Sequence, residues 1–597
     1  MSMAERRSFL GVEHSVLGQR WEHALDSREE AAATRMAQDT AIPDVVCRVL
    51  AGRGVEASRA QAFFHPTIRD LMPDPSRFTD MDAAAARLAD AIERRESIAI
   101  FGDYDVDGAA SSALLRLYLE RLGLKAAIRI PDRLTEGYGP NPAIVRELAD
   151  GGATLVVTVD CGTTSHDALD EAKRLGLDVI VLDHHQTGPN LPAAAAIVNP
   201  NRQDDLSGQG MLCAAGVVFM TLTAVSRELR RRGRAAAALP DLMEFLDLVA
   251  LATVCDVVPL VGLNRAFVVR GLAVMRQSRN PGLNALARVA GLTVAGDVYH
   301  LGYILGPRIN AGGRIGRADL GATLLTAPNE GVATEIAAEL HLLNEERQGM
   351  ERRMLAEAES EVAAEIGTGE GPAILIAARD SWHPGIVGLI AARLKERYAR
   401  PAVAIAFDAT GRGTGSGRSA TGLDLGALVR DAVEAGILLK GGGHAMAAGL
   451  TVERHRLGDF RAFAEEESRR ALGSFRQQGR LAIDGALAAM GATTSLVAEV
   501  ERAGPYGAGH AQPVFALPRH RIATAAVVGK GHVRVSLTGA DGGAVSAIAF
   551  RSADTELGRR LIARGDPIHA AGTLSVDRYR GRETVSFRIL DIANVKR

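Results

Sequence analysis

Cysteine is scarce: the chain of 597 residues has four, and none of Cys47, Cys161, Cys213 and Cys255 stands in a CxxC pair or at zinc-ligand spacing. That excludes a structural zinc and a disulfide framework, and fits thiols buried as small hydrophobes in a reducing cytoplasm. Aromatic residues make up only 4 %, so any ring-stacking surface must rest on a handful of side chains. No run of about 18 apolar residues occurs, and the opening MSMAERRSFLGVEHSVLGQRW lacks an apolar signal core. The expectation is a cytoplasmic protein without membrane contact. Net charge is −2, from 69 basic and 71 acidic residues, so a polyanion could be gripped only by local patches. No G-x-x-x-x-G-K-[ST] loop is present, and ATP hydrolysis is not indicated.

The length predicts three or four domains. Residues 1–80 read as a helical preface, with short helical patterns at Val45–Leu50 and Ser58–Phe64. From 81 to 328 apolar strands alternate with helices: strands at Ile98–Phe101, Ala126–Ile130, Leu155–Val159 and Val179–Leu182, helices at Ala109–Leu122, Ala143–Ala149 and Asp167–Leu175. This alternation predicts an α/β fold with a parallel, doubly wound sheet. Residues 329–367 place Ile336, Leu340, Leu343, Met350, Met354 and Val362 on one helical face, and are read as a long connecting helix rather than a coiled coil. A second α/β domain follows over 368–472. From 473 to 597 the pattern alternates with period two, as in Val533–Leu537 and Thr584–Ile589, between the turns GADGG and RYRGR. That predicts a small β-barrel.

The chemistry concentrates where strands end. IAIFGDYDVDGAASSALL delivers Asp103, Asp105 and Asp107, then Gly108. D-x-D-x-D-G also opens a calcium-binding EF-hand loop, but that loop needs a Glu at its twelfth position, which here is Leu114. What remains is three carboxylates at the carboxyl end of a parallel strand, where open α/β sheets bind ligands. TVDCG delivers Asp160, VLDHHQ delivers Asp183, His184 and His185, and ATVCDVVPL places Asp256 among apolar residues. Each alone can also be read as a polar turn. Together they call for a cation, because buried carboxylates are costly without one or without hydrogen bonds. Oxygen and imidazole donors without thiolate suit Mn²⁺ or Mg²⁺. Four or more acids permit two ions sharing a carboxylate, as in phosphoryl transfer. TGRGTGSGRSATG and LKGGGHAMAAGL read either as Gly-rich phosphate-binding loops or as tight turns.

The D-x-D-x-D-G, VDCG, DHH and ATVCDVVPL segments, in this order, resemble the four motifs of the DHH phosphoesterase family. IPDRLTEGYG, LGPRINAGGRIG, WHPGIVGLIAARL, GSGRS and GGGHAMAAG resemble its branch of exonucleases that digest single-stranded DNA from the 5′ end. The resemblance implies a DHH domain, a DHH-associated domain and an OB-fold barrel. It implies two Mn²⁺ or Mg²⁺ ions on Asp105, Asp107, Asp160, His184 and Asp256, with Asp103 and His185 close by and Asp183 as orienter. In the same way Arg133, Ser416, Arg418 and Ser419 become candidates for a terminal phosphate, and Arg308, Asn310 and Arg314 for the cleft. Gly442, Gly443 and His444 would close over the site. On the barrel, Phe550, Tyr579 and Phe587 are candidates for base stacking, and Arg534, Arg578, Arg580 and Arg582 for phosphates. Phe101 occupies a place where many small-substrate relatives carry a His ligand, a departure shared with the exonuclease branch. Implied partners are single-stranded DNA, a single-strand-binding protein and a recombination helicase, in DNA repair and recombination. The alternatives are a phosphodiesterase of oligoribonucleotides or cyclic dinucleotides, and a non-catalytic replication scaffold.

Overall fold

The computed structural model describes residues 6–133, 135–292, 296–367, 370–473, 479–579 and 582–595. The chain forms two compact units, one of residues 72–258 and 267–475, the other of residues 1–71, 259–266 and 476–597.

In the first of these, five parallel strands lie in the order Ala127–Arg129, Ile98–Gly102, Leu155–Val159, Asp178–Leu182, Ala196–Val198. The central strands are buried along their whole length, which is why they read as unbroken apolar runs. The strand order reverses between Ile98–Gly102 and Leu155–Val159, and such a switch point opens a ligand crevice at the carboxyl ends. Register sharpens the point, since Gly102 pairs Val159, Val159 pairs Leu182 and Leu182 pairs Val198. The residues that follow, Asp103, Asp160, Asp183 and Asn199, therefore leave the sheet side by side. Helix Val106–Arg121 starts at once after the first strand, capped by Asp105 through the amides of Asp107 and Gly108. Beside it runs Leu246–Cys255, apolar on every side and almost wholly buried.

Helix Glu330–Ile366, 37 residues long, spans about 55 Å as the sequence predicts. Leu340, Met354 and Val362 are buried, and between them the stripe continues through Asn344 and Arg347. Arg347 satisfies its burial by donating to Asn344 and Glu351.

The following domain is a mixed sheet ordered Lys440–His444, Ala447–Glu453, Arg412–Arg418, Ala402–Phe407, Leu375–Arg379. Here the structure corrects an expectation: Gly415–Arg418 and Gly441–His444 lie in strands, not in loops. The glycines meet a packing demand. A Cβ on Gly413, Gly415 or Gly417 would lie 2.7, 2.7 or 2.6 Å from Phe407, Leu450 or Leu425.

The other unit is built on a closed barrel of Phe515–Val528, His532–Thr538, Ala544–Ala549, Arg582–Asn594 and Ile568–Tyr579. Leu25, just before the first N-terminal helix, and Met36, Val46 and Leu50 from the N-terminal helices share its core with Leu537, Phe587 and Ile592. The strand Arg20–His23 pairs in parallel with Arg480–Ile483, and the Trp21 indole donates to Asp591 at 3.0 Å. Residues 6–71 thus pack with the C-terminal barrel instead of prefacing the sheet domain.

Candidate metal centre

His184 sits at the hub of the acids. Its Nε2 lies 3.3 Å from Asp160, 3.6 Å from Asp256 and 3.7 Å from Asp107. Three overlapping groups have donor atoms close enough to share an ion: Asp160 with His184 and His185, Asp107 with His184 and Asp256, and Asp103 with Asp105 and Asp160. Different elements deliver them, the first sheet strand and the helix after it, the neighbouring strands, and the C-terminal end of Leu246–Cys255.

The backbone is distorted to make this possible. Asp160 itself is left-handed at φ 63°, and Val257, directly after Asp256, at φ 61°. Aspartate tolerates that region, whereas a β-branched residue there is an outlier.

Electrostatically the cluster is unbalanced. Burial, then Asp107, Asp105, Asp103 and Asp256, push the Asp160 carboxyl well above the usual range. Burial and Asp105 do the same to Asp103. Burial, Asp107 and Asp105 drive Asp256 up to about 9. Burial lowers His184 against the pull of Asp107, which keeps its imidazole neutral and able to ligate. Two buried atoms, Asp103 Oδ1 and His184 Nε2, have no hydrogen-bond partner among the described residues. Crowded carboxylates, a neutral imidazole and orphaned donor atoms are the fit expected of a hard divalent cation.

Asp183 behaves differently. Burial opposes its ionisation, yet its oxygens accept from the amides of His184, His185 and Thr163, the Thr163 hydroxyl and the His185 ring. Those bonds hold its carboxyl far below the usual range. In return the Asp183 carboxylate, 2.8 Å from His185 Nδ1, outweighs burial and raises His185 to about 9.

Four residues not singled out from the sequence complete the arrangement. Asn199 donates to Thr163 and to the His185 carbonyl, and Asn201 donates to the His184 carbonyl. The Tyr138 hydroxyl lies 3.1 Å from both the Asp160 carbonyl and His185 Nδ1. Only the position of Thr163 and Asn199 just past strand ends hinted at them.

Beside the acids stands a group of guanidiniums. Burial, then Arg133 and Arg347, lower Arg314 to about 10. Burial and Arg133 lower Arg418. Arg314 donates to the Gly385 carbonyl, Arg418 to Ser416 and Gly417, and Arg133 lies over the Tyr104 ring at 5.1 Å. None of these three has a carboxylate within salt-bridge distance among the described residues.

Other candidates are placed differently. Ser419 is buried, and its hydroxyl donates to the Leu423 carbonyl, closing a turn. Phe587 is wholly buried in the barrel core and cannot stack on a base. Gly442 and Gly443 lie within a strand and His444 at its exposed end. Asn310 is half-buried on helix Gly306–Ile315, and Arg308 donates to Ile304 and His341. Phe550 and Arg534 are exposed. Arg580 and the side chains of Arg578, Tyr579 and Arg582 lie outside the described residues.

Comparison with known proteins decides the family. The model of the DHH family, N-terminal domain, matches residues 97–253, the DHHA1 domain 371–469 and the RecJ OB domain 483–591. The single-stranded-DNA-specific exonuclease RecJ of Dickeya dadantii is 37 % identical over 92 % of this chain and 96 % of its own length. The chain belongs to the RecJ family. Thermus thermophilus RecJ, solved in complex with Mn²⁺, matches 97 % of this chain and 79 % of its own at TM-score 0.80 and 28 % identity. The same RecJ with Mg²⁺ matches at TM-score 0.75 and 26 % identity, covering 97 % of this chain and 78 % of that one.

Proposed function

We propose that this RecJ-family chain is a divalent-metal-dependent exonuclease of single-stranded DNA. The observation that carries it is the convergence of Asp103, Asp105, Asp107, Asp160, His184 and Asp256 into overlapping ligand groups, in a chain alike over nearly its whole length to RecJ proteins, some solved with Mn²⁺ or Mg²⁺. Asp105, Asp107, Asp160, His184 and Asp256 hold two ions, with Asp103 beside them. Such ions supply Lewis-acid and electrostatic stabilisation for phosphoryl transfer. Asp183 keeps His185 protonated near neutral pH, so that this imidazolium faces the scissile phosphate and holds a proton within reach of the leaving oxygen. The Tyr138 hydroxyl lies against the same ring, 3.1 Å from Nδ1.

Arg133, Arg314 and Arg418 lack carboxylate partners and suit a terminal phosphate bidentately, which supports attack from the 5′ end with release of mononucleotides. Work in the cytoplasm, in repair and recombination beside a single-strand-binding protein and a helicase, goes with this reading. No helix among the described residues is long and apolar enough to cross a membrane.

The test uses end-labelled single strands, duplexes and dinucleotides with Mn²⁺, alongside Asp160→Ala. Expected is digestion of single strands alone, from the 5′ end, with a preference for 5′-phosphorylated over 5′-hydroxyl ends that Arg418→Ala removes. Equal digestion of duplex, or activity surviving Asp160→Ala, overturns it.

A further inference from the structure

Four Phe, Tyr or Trp side chains are exposed among the described residues: Tyr138 at 48 %, Tyr299 at 61 %, Tyr303 at 74 % and Phe550 at 49 %. Tyr138 is bound up with His185, and Phe550 packs against His532 and Arg588. The two most exposed stand together: Tyr299 and Tyr303 stack with ring centroids 5.2 Å apart and planes 24° apart. Leaving so much apolar surface in water stabilises nothing in the fold.

Their setting gives them a use. Tyr303 sits in the π-helical segment His300–Leu305, and Tyr299 is its N-cap. A π-helical turn in place of an α-helical one is uncommon and frequent at functional sites. Its inner side, through Leu301 and Leu305, is buried, and its backbone lies directly against the last turn of helix Leu246–Cys255. The Cys255 thiol donates to the Leu301 carbonyl at 3.4 Å, and a Cβ on Gly306 would lie 2.5 Å from Cys255 Sγ. A Cβ on Gly302 would meet Val254 at 3.4 Å. Residue 256, the next along that helix, is a proposed metal ligand. The π-turn thus clamps the element that carries Asp256 while presenting two rings to solvent on its outer side. A cation lies on the following turn: Arg308 donates to the carbonyl of Ile304, the residue after Tyr303, at 2.6 Å and to His341 at 3.2 Å.

We infer that Tyr299 and Tyr303 form a stacking platform for the bases of single-stranded DNA lying outside the metal centre, with Arg308 taking a backbone phosphate. Stacking is indifferent to base identity, since every base has a π-face, so the platform holds the strand without reading its sequence. Bases inside a duplex have both faces covered by their stacked neighbours, so the platform also discriminates against duplex. The inference rests on the nuclease reading.

The experiment compares the full chain, Tyr299→Ala/Tyr303→Ala and Tyr299→Phe/Tyr303→Phe with Mn²⁺, on a thymidine 12-mer and on 12-mers carrying interior abasic sites. Expected is a rise in KM of about tenfold or more for the Ala pair on the 12-mer, with the loss in KM and not in kcat. The Phe pair should keep the unsubstituted KM. Abasic sites should weaken binding by the unsubstituted chain but make no further difference to the Ala pair. An unchanged KM in the Ala pair, a Phe pair as impaired as the Ala pair, or equal sensitivity to abasic sites in all three overturns the inference. No digestion of either strand by the unsubstituted chain would instead sink the nuclease reading itself.

Discussion

Asp160 is held in a left-handed backbone, buried, and surrounded by four other carboxylates. Each circumstance weakens the metal-free fold, and each is tolerable because a cation relieves it. Asp160→Asn should therefore have opposite effects on two properties. Nuclease activity should fall at least about a hundredfold, since even residues behind a ligand cost 10- to 100-fold. The metal-free protein should melt a few degrees higher, because one repelling charge is gone while the amide still tolerates the left-handed region. Calorimetry with chelator, paired with a nuclease assay, reads both; a lower metal-free Tm would contradict the account. Val257 gives a second case. It is 69 % exposed with φ 61°, so it contributes little packing and carries strain. Val257→Asn should stabilise the metal-free chain by about 1 kcal/mol, measured by urea denaturation. The acids and the imidazoles were legible in the sequence because charge at the end of an apolar strand stands out. Thr163, Asn199 and Asn201 were not, since a Thr or Asn after a strand is common and only the hydrogen-bond geometry separates an orienting side chain from a turn.

At the scale of elements, the D-x-D-x-D-G turn depends on its glycine. A Cβ on Gly108 would lie 2.3 Å from the Asp103 carbonyl oxygen and 2.6 Å from its nitrogen, backbone that can yield only by moving the acid. Gly108→Ala should cost about 1–3 kcal/mol by overpacking and weaken Mn²⁺ binding about tenfold or more, read by thermal shift against metal concentration. Unchanged Mn²⁺ affinity would mean that the Asp103 backbone is free to move. The parallel strands and the long helix were readable because periodicity and burial agree. GSGRS and GGGH were misread because glycine composition signals a loop, and nothing local announces that Leu450, Leu425 and Phe407 will close over those positions. The same blindness put Phe587 on the barrel surface: its apolar alternation is right, but which face is the core depends on partners elsewhere in the chain.

At the scale of the molecule, the unit built on the barrel has its own pH response. His510 Nε2 donates to the Ala503 carbonyl at 2.8 Å, and the ring stacks on Tyr506. Burial, with Arg265 and Arg53 nearby, lowers its imidazole to about 4. An unfolded imidazole titrates near about 6.5, so acid protonates the unfolded chain first. The stability that neutral His510 contributes is present above about pH 6.5 and is lost as pH falls toward 4. In a Trp382→Phe background, Trp21 fluorescence reports this unit alone; its denaturation midpoint should drop between pH 6.5 and 4.5, and drop less in His510→Gln. Identical slopes would remove His510 from the account. That residues 6–71 belong to this unit was not legible, because strand Arg20–His23 finds its partner at Arg480–Ile483, far beyond any local pattern. The pairing has a consequence for synthesis on the ribosome. The apolar face of Leu25, Met36 and Val46 emerges early, yet the barrel that covers it is translated roughly 500 residues later, a wait of about 25–100 s at ~5–20 residues per second. Through that interval the nascent chain carries an uncovered sticky surface, which makes its yield depend on chaperone supply and on how fast the ribosome reaches the end.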